Sequence, residues 1–362
     1  MTTLLRMILK HLTLQHFRNY SKATFNFSEN ITAIVGPNTA GKTNLIESIM
    51  LLVSGKSYRL EKDVFLTQSG KQVGRVKGTA VSEEEKKQLE VVIPSDIGND
   101  DGQTTPPKMM KRYLVNGVAK RRVDFVGILK AVLFVPTDLD IVIAGPSHRR
   151  AFLDTVLEQT DREYRVALSS YIKALRQRNA LLELARETGR RKTEQFEYWD
   201  SLLIGYGETI SEKRTELIDY VNEQKKSLLS FSLSYDQSVL SKERLLQYKD
   251  AEVASGVTLV GPHRDELLLF IGKNKEAKVF ASRGQQRLLV LELKLLELSF
   301  IEEKSGERPM LLLDDIFSEL DQEHIDLVLE TIKRQQTILT TTHEEFLNGS
   351  GISKSDMVEL VK

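Results

Sequence analysis

Residues Gly36-Pro37-Asn38-Thr39-Ala40-Gly41-Lys42-Thr43 fit the pattern G-x-x-x-x-G-K-[ST], and no other stretch restricts the fold of this chain as much. Such a loop works as the link between a buried strand and a helix. Its backbone N–H groups and the helix N-terminus converge on a nucleotide's phosphates, while the lysine reaches the β and γ oxygens and the hydroxyl ligates Mg²⁺. Both flanks comply. Ile31 to Val35 is β-branched and apolar, which reads as a buried strand. Lys42 to Val53 contains good helix formers with no proline or glycine. Gly36 to Thr43, with Asn44 beside them, are therefore the candidate ATP contacts, and Lys42 is the candidate catalytic cation.

A phosphate loop needs a carboxylate at the end of a neighbouring buried strand, because Mg²⁺ takes few protein ligands and is held through its water shell. Met310-Leu311-Leu312-Leu313-Asp314 supplies one. Asp314 is the expected metal-side acid together with Thr43, and Asp315 stands where it can polarise an attacking water. The other reading of the pair is a strand end meeting a helix N-terminus, which favours negative charge. Ser282-x-Gly284-Gln285 opens a long apolar helix and offers a hydroxyl, glycine N–H groups and a helix dipole to a γ-phosphate. One triphosphate cannot use two such sites in a single chain, so this geometry predicts an ATP-dependent homodimer. An ordinary capped helix is the alternative.

Composition sets outer limits. Lys+Arg and Asp+Glu are both 51 in 362 residues, so no global positive field draws the molecule to nucleic acid, and DNA contacts must come from local patches. The absence of cysteine excludes disulfides, thiolate zinc sites and cysteine nucleophiles. Met1 to Lys10 lacks the apolar core of a signal peptide and no run approaches a membrane span, so the cytoplasm is the expected compartment.

Along the chain, Met7 to Phe17, Ala23 to Phe27 and Ile31 to Val35 read as three strands before the loop. Arg18, in the turn after Phe17, is either a nucleotide contact or a surface arginine, and the basic loop Gly55-Lys56-Ser57-Tyr58-Arg59 carries the same ambiguity. Val73–Val81, Leu89–Ile93 and Arg112–Val115 form an antiparallel unit turned at Asn116-Gly117. The polar stretch from Asp96 to Pro107 reads as a loop, since its carboxylates lack the spacing of a calcium site. Lys111-Arg112 and Lys120-Arg121-Arg122 flank the hairpin as a candidate DNA patch, or else as a solvated basic face. Ala131 to Val135 is a further strand, and Ser147 reads as the cap of the next helix.

Arg162 to Glu187 and Lys192 to Leu229 carry helical apolar stripes, Leu168, Ile172, Leu175 and Leu182 in the first and Leu203, Tyr206, Ile210, Leu217, Val221 and Leu228 in the second. They are expected to pack as an antiparallel hairpin, with Gly205 and Gly207 as points of interruption. Strand character returns in Glu266–Ile271, Ala277–Ala281 and Gln336 to Thr342. The expected architecture is α/β: an ATPase domain split between 1–144 and 251–362, with mixed sheet and antiparallel β unit, and a helical arm inserted at 145–250.

The order of these blocks resembles that of the ABC-type ATPases, in the branch holding the SMC and related DNA-repair proteins, and within it the RecF family. The similarity rests on Phe17-Arg18-Asn19-Tyr20, Gly41-Lys42-Thr43-Asn44, Gly55 to Arg59, Gly145-Pro146 with Arg149-Arg150, Gly261-Pro262-His263-Arg264-Asp265, Gly284-Gln285-Gln286-Arg287, and Leu313-Asp314-Asp315 through Ser318-Glu319-Leu320-Asp321. It implies that ATP joins two copies head to tail, Lys42, Thr43 and Asp314 of one facing Ser282, Gly284 and Gln285 of the other. The closed dimer would clamp double-stranded DNA near single-strand gaps. With RecR and RecO it would promote RecA loading, replication restart and SOS induction, and slow, DNA-stimulated hydrolysis would open it. Three positions depart from the pattern: Thr39 replaces a usual glycine, Arg283 a small or amide residue, and Asp315 the usual glutamate. His343 follows its strand as a switch histidine does, with Thr341 or Thr342 as alternatives for that role. The alternatives are another ABC-type ATPase subunit of the transporter kind, for which the sequence shows no coupling loop or apolar docking patch, and a scaffold that uses ATP only structurally, against which intact Lys42, Asp314 and Asp315 argue.

Overall fold

A computed structural model describes residues 5–60, 63–82, 85–95, 110–316, 334–342 and 357–360. The chain divides into two compact units, Met1–Thr137 with Glu297–Lys362, and Asp138–Leu296. The stretch 96–107, the segment Phe317 to Asp321 and His343 lie outside the described residues.

The first unit begins with β1 (Leu5–Arg6), β2 (Ile8–Phe17), β3 (Tyr20–Asn26), β4 (Ile31–Val35) and α1 (Lys42–Ser54). It continues through β5 (Val73–Val81), β6 (Lys86–Pro94), β7 (Arg112–Val115), β8 (Val118–Lys120), α2 (Arg122–Phe125) and β9 (Ala131–Phe134). In the second unit follow α3 (Asp140–Ile143), α4 (Pro146–Thr160), α5 (Arg162–Thr188), α6 (Thr193–Glu223), β10 (Phe231–Asp236), α7 (Lys242–Gln247) and α8 (Lys249–Ser255). Next come β11 (Glu266–Ile271), β12 (Lys275–Glu276), α9 (Ala277–Phe280) and α10 (Arg283–Ser305). The chain ends with β13 (Glu307–Arg308), β14 (Met310–Asp314), β15 (Thr337–Thr341) and β16 (Met357–Glu359).

Two sheets enclose α1. One is parallel, in the order β16-β4-β15-β14-β9, and the other antiparallel, in the order β3-β2-β5-β6-β7-β8. Helix α1 touches β2, β5 and β6 on one side and β9, β14 and β15 on the other. That sandwich explains its sequence. Eleven of its thirteen residues are buried, and a helix apolar on nearly every face has no solvent side to present. Leu45, Ile46, Ile49 and Leu52 pack into one core with Leu9, Leu12, Leu14, Val76, Leu312 and Ile338. The approach is closest at Gly78 of β5, where a Cβ would lie 2.5 Å from a methyl of Leu52.

In the second unit α5 and α6 pack against each other as the expected hairpin. Helix α6 runs unbroken through Gly205 and Gly207 to Glu223, about 46 Å at 1.5 Å per residue, and Leu228 lies beyond its end. Leu168 and Leu182 of the first stripe and Leu203, Ile210, Leu217 and Val221 of the second are buried as expected, but the buried face of α5 is wider than its stripe. Ile172 is 46 % exposed, while Tyr171, Ala174 and Arg178 face inward. Arg178 is enclosed because its guanidinium donates to Asp200 at 2.6 Å, Glu252 at 2.7 Å and Thr258 at 2.9 Å. Arg214 of α6 is likewise buried, bonded to Asp154 at 2.8 Å, Asp265 at 3.0 Å, the Pro262 carbonyl and the Tyr164 hydroxyl.

These ion pairs, and the pairing of β10 with β11, tie residues 252–271 to the helical hairpin. The unit runs from Asp138 to Leu296, where the sequence placed the divisions at 144 and 250. Two local expectations are corrected. Ala277–Ala281 is not a strand but the single helical turn α9, with Ala277 buried and Val279 and Phe280 more than 60 % exposed. Ser147 does not cap α4; Gly145 takes that position and Pro146 the first helical one, where a missing N–H costs nothing. Strand β10 goes beyond the sequence expectations, although Phe231, Leu233 and Tyr235 alternate with polar residues as a half-buried strand does.

Candidate functional site

The loop between β4 and α1 has the conformation its glycines suggest. Gly41 sits at φ 104° and Thr39 at φ 76°, a left-handed backbone that a β-branched residue adopts only under strain. Pro37, Asn38 and Thr39 are exposed, whereas Gly36, Ala40, Gly41 and Lys42 are buried. The Lys42 ammonium folds back over its own loop and donates to the carbonyls of Gly36 at 2.6 Å and Pro37 at 3.0 Å. Burial lowers its pKa from the ordinary lysine value, opposed by the carboxylates of Asp315 and Asp314. The three charges therefore share one small volume.

The parallel register explains how. Strand β14 lies beside β15, which lies beside β4, so Asp314 ends its strand at the level where β4 enters the loop. Thr43 donates from Oγ1 to Oδ1 of Asp314 at 3.3 Å, across 271 residues of sequence. Thr340 of β15, fully buried and opposite Asp314 in register, donates to the same oxygen at 2.7 Å. Its hydroxyl also accepts from the backbone N–H of Asp315 at 3.1 Å. Asp315 stands at φ 55°, and this bond to Thr340 holds the strained turn. Thr340 is a site residue that the sequence did not single out; Thr341 and Thr342 stood only as alternatives to His343 for a switch role.

Oxygen donors from Thr43 and Asp314 facing each other at the head of α1 suit Mg²⁺, a hard cation that fills its remaining positions with water and phosphate oxygens. Among the described residues no group of three or more His, Asp or Glu side chains could hold a metal without such help.

Arg18 and Arg59 meet at the other side of α1. Arg18 makes a bidentate pair with Glu47, at 2.9 and 2.8 Å, and Glu47 is fully buried. Ser57 donates to the same carboxylate at 2.6 Å, and Arg59 reaches it at 3.5 Å and Asn44 at 3.1 Å. The sequence candidates Arg18 and Asn44 are thus held within hydrogen-bonded clusters beside the loop.

The basic patch separates into two groups. The Lys111 ammonium donates to the Gly55 carbonyl at 2.7 Å and to Asp63 at 2.6 Å, and Arg122 donates to the Ser54 carbonyl at 2.7 Å. These cations satisfy the last carbonyls of α1 and its negative dipole end. Arg112, Lys120 and Arg121 remain exposed, Arg121 paired with Asp124 at 2.8 Å.

In the second unit, Ser282 and Gln285 form a reciprocal capping box at the start of α10. The Gln285 N–H donates to the Ser282 hydroxyl at 3.2 Å and the Ser282 N–H to the Gln285 side chain at 2.9 Å. Ser282, Arg283, Gly284 and Gln285 are all exposed.

Residues 8–359 match the family described as the RecF/RecN/SMC N-terminal domain. A "DNA replication and repair protein RecF" of Moorella thermoacetica is 37 % identical over 366 residues, covering 98 % of this chain and 95 % of the relative. The chain belongs to the RecF family. A solved structure described as the recombination mediator protein RecF with ATP in the RecFOR pathway superposes with a TM-score of 0.84 at 30 % identity, covering 94 % of each chain. An Smc head domain from Pyrococcus furiosus shares the fold, with a TM-score of 0.51 at 18 % identity over 98 % of this chain and 93 % of that one. The RecF-family chain is accordingly an ABC-type ATPase fold with an inserted helical hairpin, and no helix among its described residues is long and apolar enough to cross a membrane.

Proposed function

We propose that this RecF-family chain is an ATP-dependent DNA-binding recombination mediator that works with RecR and RecO. The observation that carries the reading is the convergence of Thr43, Asp314 and Thr340 at the N-terminus of α1, with Lys42 beside them. A buried carboxylate set against a phosphate-loop hydroxyl has a use when a metal and a triphosphate arrive together. The residues Gly36 to Asn44 would cradle the phosphates, Lys42 would neutralise the β and γ oxygens, and Thr43 and Asp314 would hold Mg²⁺. Asp315, on its strained turn, would orient the attacking water.

The γ-phosphate is the one group that differs between the two nucleotide states, so a switch must read it. In this reading Ser282, Gly284 and Gln285 of a second copy do so, and their exposure supports it. The dimer would then close on double-stranded DNA near single-strand gaps and persist through slow hydrolysis, long enough for RecA loading. Arg112, Lys120 and Arg121 are the members of the hairpin patch with exposed charge for DNA phosphates. Sedimentation of the full chain tests the proposal. ATP with Mg²⁺ should convert monomer to dimer, duplex DNA should co-sediment more strongly with the dimer, and Lys42→Met should abolish both effects. A wild-type chain whose sedimentation ignores ATP would end the reading.

A further inference from the structure

The turn between β2 and β3 lies on the phosphate loop. Tyr20 donates from its hydroxyl to the Gly41 carbonyl at 3.1 Å, an oxygen that also accepts the first helical N–H, from Leu45, at 2.9 Å. The Asn19 amide donates to the Ala40 carbonyl at 3.5 Å and accepts from Asn44 at 2.8 Å. The two side chains fill the space where a Cβ on Gly41 would sit, with Asn19 and Tyr20 atoms each 2.7 Å from that position. Glycine is required at 41 for this contact as well as for its φ of 104°.

Peptide planarity turns these bonds into a constraint on the donors. In a trans peptide the C=O of one residue and the N–H of the next point in opposite directions, and the chain has no cis bond among its described residues. Drawing the carbonyls of Ala40 and Gly41 toward Asn19 and Tyr20 therefore turns the N–H groups of Gly41 and Lys42 to the other side. Those are the two backbone donors that end the loop and begin α1. The turn has further anchors away from the loop's carbonyls: Arg18 at φ 51° is clamped to Glu47 in the second turn of α1, its N–H donates to the Leu66 carbonyl at 2.8 Å, and Tyr20 packs edge-on to Phe25. Burial pushes the Tyr20 pKa up to about 12, so the hydroxyl keeps its proton and remains a donor at any physiological pH.

We infer that Asn19 and Tyr20 are positioning residues for nucleotide binding: a strap that holds the last two carbonyls of the phosphate loop outward and so presents the N–H groups of Gly41 and Lys42 to the triphosphate. The inference rests on the reading of Gly36 to Thr43 as the nucleotide loop. Tyr20→Phe keeps the packing and deletes one neutral hydrogen bond, and Asn19→Ala deletes the other contact. Each should weaken binding of a fluorescent ATP analogue to the full chain about three- to tenfold, and the double variant more than either. A strap acts equally on bound substrate and transition state, so KM for ATP should rise with kcat unchanged.

The measurement is a titration of wild type, both single variants and the double variant, with thermal unfolding in the absence of nucleotide run alongside. Loss of affinity with a nucleotide-free melting temperature unchanged supports the strap. Wild-type binding matched by the double variant overturns it and leaves the nucleotide loop standing, as does a fall in kcat at constant KM. Absence of binding by the wild-type chain itself removes the nucleotide reading and the strap with it.

Discussion

Replacing Thr340 by valine would remove one hydroxyl and almost no volume from the centre of the site. That hydroxyl donates to Asp314 at 2.7 Å and accepts from the Asp315 N–H, in a position with no exposed surface. A hydrogen bond to a charged group contributes about 1.5–3 kcal/mol. Two compensations reduce the net loss. The Asp315 N–H keeps the Thr340 backbone carbonyl at 3.2 Å, and the new methyl gains a transfer term of about 0.8 kcal/mol. The remainder is about 1–2 kcal/mol. For a unit of roughly 200 residues each kcal/mol moves the midpoint by about 2–4 °C, so nucleotide-free thermal unfolding should shift down by about 3–6 °C. Asp314 would keep its hydrogen bond from Thr43 at 3.3 Å, and Mg²⁺-dependent ATP affinity should fall together with the melting temperature. Thr340→Ser, which restores the hydroxyl and gives up only a methyl, should recover most of the affinity. A Thr340→Val chain that melts and binds like wild type would show that the position of Asp314 does not depend on β15, and the account of the site above would be wrong.

Thr39→Gly relieves a left-handed β-branched residue whose exposed side chain loses no packing, and should stabilise by about 0.5–1 kcal/mol after the greater freedom of the unfolded glycine is offset; a lower melting temperature would refute the strain. Arg178→Met strands the fully buried Glu252 and should cost about 3–5 kcal/mol in urea unfolding, more than half of it recovered by adding Glu252→Gln. A double variant no better than the single one would place the loss elsewhere. His263 sits between the Tyr171 hydroxyl at 2.7 Å and the Thr258 carbonyl at 3.1 Å, an arrangement for the neutral ring, and burial lowers its pKa to about 4. Its folded pKa lies below the unfolded 6.5, so the unfolded chain binds more protons between about pH 4 and 6.5. The stability it contributes is full above pH 6.5 and lost as pH falls through that window, by roughly 3 kcal/mol. The melting temperature of His263→Gln should decline less steeply over the same range, and equal slopes would contradict the assignment.

The phosphate loop, its strand and its helix were legible because their signals are local: β-branched residues, then glycines and a lysine, then helix formers. Asp314 was legible because a phosphate loop needs a carboxylate at a neighbouring strand end. Thr340 was not, since its role arises from the pairing of β14 with β15, which sequence spacing does not display. Periodicity also misjudged the arm. It treats arginine as an outward residue, yet Arg178 and Arg214 are among its most enclosed side chains, because their carboxylate partners lie tens of residues away. The same blindness to direction grouped Lys111 and Arg122, which hold the end of α1, with Arg112, Lys120 and Arg121, which do not.

The strand that feeds the phosphate loop has both of its neighbours, β15 and β16, from the far end of the chain. A polypeptide emerging from the ribosome therefore carries its nucleotide loop within the first fifty residues but cannot seat it until residues beyond 337 have been made. At about 5–20 residues per second that interval is on the order of 15–60 seconds, during which β4 offers two unpaired edges. For this architecture the nucleotide loop is completed only by strands made about 300 residues after it.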